Sequence, residues 1–160
     1  MYGLNLPFLT MGNHTPTSAA TPNYNCVSHS IHEDLVSLWP DDDNRWPESF
    51  VRDETVEAFT QFFVALGFED IATNDDRLET GFWKIAIYAD NGFPLHVARQ
   101  LTNGRWTSKL GAQADISHAN LHCLEGGDYG YVAKILKYRK TGYAPFLPPL
   151  IPPRPLIIIP

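Results

Sequence analysis

Cysteine is scarce in this chain: only Cys26 and Cys123 occur among 160 residues. That excludes a disulfide scaffold, leaves at most one bridge, and suits a reducing compartment. Long apolar runs are missing too. No stretch reaches the roughly 18 residues needed to cross a bilayer, and the opening "MYGLNLPFLTMGN" lacks the basic start and apolar core of a secretory signal. The expectation is a soluble, cytoplasmic protein with no membrane partner. Basic residues are also in deficit, with 12 Lys and Arg against 18 Asp and Glu and a formal net charge of -6. No positive run offsets repulsion from phosphates, so nucleic acid is not an expected partner.

What is present suits one globular domain: 44% hydrophobic and 19% charged residues, in a chain long enough for one core and short for two. Residues 1–22 lack periodicity and read as a loose arm; residues 23–140 read as the domain. From Asn25, a good N-cap, the residues Val27, Ile31, Leu35 and Leu38 recur at helical spacing and predict a first helix up to "WPDDDNRWP". "RDETVEAFTQFFVALGF" predicts a second helix, with Asp53 as N-cap, Gly67 beyond its end, and Val56, Phe59, Phe62, Phe63 and Leu66 facing the core. Residues 69–80 read as loop. Three runs, 81–89, 94–101 and 105–110, separated by Asn91-Gly92 and Asn103-Gly104, predict an antiparallel meander. Residues 130–140 fit either a helix or a final strand. The segment 141–160 holds seven of the 13 prolines and reads as a disordered, polyproline-like tail able to dock on a partner groove.

Chemistry enters at Cys26. A sulfur at a helix start lies near unsatisfied backbone N–H groups and the positive end of the dipole, which favour thiolate. A thiol nucleophile also needs a base titrating near neutrality, and histidine is the side chain suited to it. His29 and His32 share the helix with Cys26. His96 is the better base, because a strand holds an imidazole rigidly across from a helix end.

The order of elements, cysteine at a helix start and then histidine on a strand with a polar residue on the next strand, resembles papain-like proteins. The closest local likeness is to the NlpC type of cysteine hydrolase. It is carried by "NCVSHSIHE" (25–33) and "PLHVARQLTNGRWTSKLG" (94–111). The resemblance implies an α+β fold with N-terminal helices packed on an antiparallel sheet, no cofactor, and a peptide or other amide-containing substrate. It places the group that orients the histidine twelve positions later, at Ser108. Serine departs from the His, Asn or Asp of such sites, since it cannot stabilise an imidazolium by charge; Asp115 and His118 are substitutes if the chain folds back. The wider pattern "NC…HVARQL…GRWTSKLG…DISH" also resembles a family of small uncharacterised domains.

Hairpin register bears on Ser108. A two-residue turn at Asn103-Gly104 puts Thr107 and Lys109 on the His96 side of the sheet, whereas a three-residue loop with a glycine bulge brings Ser108 there. The reading is therefore a thiol hydrolase or acyl transferase with Cys26, His96 and Ser108 as catalytic residues. Asn25, Gln100 and Lys109 are candidates for oxyanion or substrate contact. Two alternatives stay open: a non-catalytic binding or adaptor module, and a zinc site built from Cys26, His29, His118 and His122.

Overall fold

The computed structural model describes residues 1–141, 145 and 150–151. In chain order its elements are β1 (His14–Pro16), α1 (Cys26–Ser30), β2 (Trp46–Pro47), α2 (Val56–Ala65), β3 (Glu69–Asp70), β4 (Phe82–Asp90), β5 (Phe93–Gln100), β6 (Trp106–Lys109), β7 (Asp115–His118), a 3₁₀ turn (Leu121–Leu124), β8 (Tyr131–Arg139) and β9 (Leu150–Ile151). β4 and β5 are rich in aromatic and β-branched residues, and a two-residue turn at Asn91-Gly92, both at positive φ, reverses the chain between them. β8 settles the ambiguity at 130–140 as a strand, because it lies along the whole length of β4 and needs a period of two to cover it.

The main sheet runs β1-β7-β6-β5-β4-β8-β3, with every described pairing antiparallel. Alternation sends its side chains into two cores. Ile85, Ile87, Val97 and Leu136 pack under α1, α2, Trp46 and Phe68. Ala86, Tyr88, Ala98, Trp106, Ile116 and Ile135 pack on the other face against Leu6, Leu9, Tyr129 and the 3₁₀ turn. The arm is therefore part of the packing: it supplies an edge strand, β1, and two buried leucines.

This architecture corrects the expected papain-like α+β fold. The helices are short, five and ten residues, and a seven-stranded antiparallel sheet dominates. The first helix stops at Ser30 instead of running to Leu38: His32 takes φ 63, outside helical space, and Leu35 is 81% exposed. The chain is folded back instead, since the Asn25 Oδ1 accepts from Leu38 N and its Nδ2 donates to Leu38 O. α2 begins later than expected. Thr55, not Asp53, is its N-cap and accepts from Ala58 N at 3.1 Å, while Gly67 at φ 106 follows its end as expected. The reading of 141–160 as a disordered docking tail falls mainly on residues outside those described; Leu150–Ile151 pair with Trp46–Pro47. Among the described residues no helix is long and apolar enough to cross a membrane.

Thr55→Ala is expected to destabilise the protein by about 1 kcal/mol in urea unfolding, whereas Asp53→Ala changes it by less than about 0.5 kcal/mol. The opposite ranking would contradict this placement of the cap.

Candidate functional site

The loop between β5 and β6 decides which side chains meet. Leu101 N donates to Arg105 O at 2.7 Å, and Gly104 takes φ 85 within a three-residue loop. The resulting register pairs Arg99 with Thr107 and Gln100 with Trp106. Continued, it puts Ser108 on the His96 side and sends Thr107 and Lys109 to the α1 side. Beyond Arg99 and Thr107 no further pairs join β5 to β6. Side chains bridge that seam instead: the His96 Nε2 lies 2.9 Å from Ser108 Oγ, and Ser108 Oγ lies 2.8 Å from His118 Nε2. The His118 Nδ1 in turn lies 2.9 Å from the Asn120 carbonyl oxygen. All three side chains are fully enclosed. Tyr129 stacks on the His96 ring with centroids 4.1 Å apart, and Tyr88 meets it edge-on. The His96 Nδ1 is buried and has no hydrogen-bond partner among the described residues.

Cys26 opens α1, which packs on β5 and β6. The backbone N–H groups of Val97, Val27 and Cys26 itself favour the charged form of its sulfur. Cys26 packs in the core under α1 with Ile87 and Val97, while the His96 ring meets Tyr88 and Tyr129 on the opposite face of the sheet, and no hydrogen bond joins the Cys26 sulfur to a His96 nitrogen among the described residues. Cys26 acts electrostatically on both Lys109, on the α1 side, and Tyr129, on the His96 side. The expected thiolate is not the resting form. Burial pushes the thiol up to about 11 despite those N–H groups, since a five-residue helix has too little dipole to offset desolvation. Burial likewise holds His96 well below its ordinary value. The resting pair is neutral thiol and neutral imidazole.

The other named residues have definite places. The Asn25 side chain caps α1, accepting from Ser28 N, Ser28 Oγ and Leu38 N, so its amide is spent on the fold. Lys109 is enclosed, and its Nζ donates to the carbonyls of Thr21, Gly111 and Gln113. Gln100 donates to Asp76 O, with its Oε1 buried and unpartnered. Cys123 is a free, buried thiol in the 3₁₀ turn. Histidine 122 is largely exposed beside Glu125, and no group of three or more metal-ligating side chains occurs among the described residues.

A second polar cluster on the α1 side was not expected. His29 Nε2 lies 2.9 Å from Thr107 Oγ1 and its Nδ1 3.7 Å from Asp115 Oδ2, while Tyr24 donates to that carboxylate at 2.7 Å. Arg99 Nε donates to His29 O at 3.4 Å. Burial pushes His29 down to about 4 against the pull of Asp115. Tyr24 and Asp115 are 91 positions apart, and only the odd-even alternation of Thr107 and Lys109 around Ser108 hinted at a partner for this face.

Residues 15–137 match the family model of a domain of unknown function, DUF7689. The chain belongs to that family. This bears out the likeness to small uncharacterised domains, and the DUF7689 match, starting at Thr15 within β1, takes in the edge strand that the arm supplies. The resemblance to papain-like and NlpC-type proteins finds no support beside it. No curated protein and no solved structure matches the chain.

Buried neutral histidines make the DUF7689 domain acid-sensitive. His29 and His118 are pushed by burial from 6.5 down to about 4, so the unfolded chain binds more protons between those values. Their contribution is complete above about pH 6.5 and is lost as pH falls toward 4. Urea unfolding should show this slope, reduced in His118→Gln; equal stability at pH 7 and pH 4.5 would contradict it.

Proposed function

We propose that this DUF7689 domain is a thiol hydrolase or acyl transferase acting on an amide or related acyl bond. The observation that carries the reading is His96. Its Nε2 is engaged by Ser108, its Nδ1 is enclosed without a partner, and the N–H of the next residue favours the charged form of the Cys26 sulfur. An unpaired buried nitrogen costs on the order of 1–3 kcal/mol, and a base kept bare for the Cys26 thiol to reach gives that cost a purpose.

In this reading His96 Nδ1 takes the thiol proton as the sulfur attacks the acyl carbon. The carbon–nitrogen bond then breaks, the imidazolium returns the proton to the departing amine, and a thioester remains on Cys26. Water, or a second amine, attacks the thioester with His96 again accepting the proton, which restores the thiol and releases acid or a new amide. In this reading the N–H groups of Val97, Val27 and Cys26, which favour charge on the sulfur, stabilise charge as it develops there. Ser108 orients the ring. The chemistry requires no cofactor, and a free thiol that must stay reduced suits the cytoplasm. A peptide or amide-containing molecule is the substrate class; neither nucleic acid nor membrane enters the mechanism.

A second reading is favoured by enclosure. Cys26 is 7% and His96 0% exposed, so access for substrate requires displacement of covering segments such as the loop bearing Tyr129. If those segments never open, the same network is a polar core and the domain is a non-catalytic binding or adaptor module.

Incubation of the full chain with p-nitrophenyl acetate at pH 7 separates the two. Stoichiometric acetylation of Cys26 by mass spectrometry, slowed about 100-fold or more in His96→Ala, is the expected result. A native protein left unlabelled while the urea-unfolded chain labels would overturn the thiol reading.

A further inference from the structure

We propose that His118 is a positioning residue which, through Ser108, determines which nitrogen of His96 is left bare. The purpose of the arrangement rests on the thiol reading above; its content rests on hydrogen-bond geometry and on both enclosed imidazoles being neutral.

The chain of reasoning starts at a group that can only accept. The Asn120 carbonyl oxygen, 2.9 Å from His118 Nδ1, has no proton to give, so Nδ1 carries one. A neutral imidazole carries a proton on one nitrogen only. His118 is neutral near pH 7, because burial, with Arg105 and His14 acting the same way, pushes it down to about 4 against the hydrogen bond to Asn120 O. Its Nε2 is therefore a lone pair, and the Ser108 hydroxyl 2.8 Å away must donate to it. That uses the one proton of Ser108, whose oxygen is left to accept from His96 Nε2 at 2.9 Å. His96, also neutral, then carries its proton on Nε2 and presents Nδ1 as a bare lone pair. Nδ1 is the atom that has no partner among the described residues.

Each link forces the next, and the last link sets a base. A lone serine would not do this. Its hydroxyl rotates, and against His96 Nε2 it donates as readily as it accepts; a donating Ser108 would move the His96 proton to Nδ1 and abolish the base. His118 removes that freedom. The sequence places serine where an orienting group is expected, and the structure supplies the missing direction from β7, the strand beyond. Stacked Tyr129 adds the other constraint by fixing the plane of the ring.

The test reads the tautomer directly. In protein labelled with ¹⁵N-histidine, two-bond ¹H–¹⁵N correlation spectra at pH 7 should show His96 as the Nε2–H form and His118 as the Nδ1–H form. In His118→Leu, which removes the acceptor, the Nδ1–H form of His96 should grow several-fold; in His118→Gln, whose Oε1 keeps an acceptor there, His96 should remain as in wild type. Should His118→Leu not fold, Ser108→Ala carries the same test with the same expected loss of a single form. Wild-type His96 protonated on Nδ1, or a His96 tautomer unchanged in His118→Leu or Ser108→Ala, would overturn the proposal. Cys26 acetylation gives the second readout: it should slow roughly tenfold or more in His118→Leu and recover in His118→Gln. Tautomers as expected with no acetylation in any variant would uphold the role of His118 and sink the thiol reading. Acetylation with unchanged tautomers would do the reverse.

Discussion

The structure turns on one place in the sheet, where the ladder between β5 and β6 ends at Arg99 and Thr107. Up to that point backbone pairing holds the two strands together. Past it, the His96–Ser108 contact does so through side chains, continued by Ser108–His118 to β7, and α1 packs across both strands. Strand separation and the enclosed imidazoles are thus aspects of one local departure from regular pairing.

Enclosure of so many polar groups is tolerated because nearly every one is partnered. Lys109 is surrounded by three carbonyls, Tyr88 donates to Leu121 O, and Tyr24 donates to Asp115. Buried polar groups in such networks cost little when satisfied and several kcal/mol when not. The bare Nδ1 of His96 is one of few exceptions among the described residues, with Gln100 Oε1, Asp115 Oδ1 and two Arg52 nitrogens. It is enclosed on the sheet face that carries Tyr88 and Tyr129, where an unpaired nitrogen is expensive.

Much of the fold was legible. Period-two aromatic and aliphatic runs with Asn-Gly turns located β4, β5 and β6 to within two residues, and the Phe59, Phe62, Phe63 face of α2 is buried as its spacing required. The failures have local causes. Leu35 and Leu38 continue the spacing of α1, but helical periodicity carries no information about Asn25, whose side chain binds the Leu38 backbone and turns the chain back. β1 is three residues with a proline at its end, too short for any pattern to show. Assigning the whole to a papain-like fold gave those helices a weight that five and ten residues do not carry.

The His96–Ser108 contact was legible in part. The resemblance put an orienting group twelve positions after His96, at Ser108, and two hairpin registers were distinguishable in advance, yet only the three-residue loop with Gly104 at positive φ selected between them. His118 stood as a substitute for Ser108, when in the structure the two act in series. The shift of the Cys26 thiol went the other way from expectation, because a helix start was legible and its depth of burial was not. The decisive measurement is a cross-link with 1,3-dibromoacetone, a three-carbon reagent that joins a thiol to an adjacent ring nitrogen. The account predicts a Cys26–His96 linked peptide. A link from Cys26 to His29 instead, or single-ended adducts alone, would contradict it.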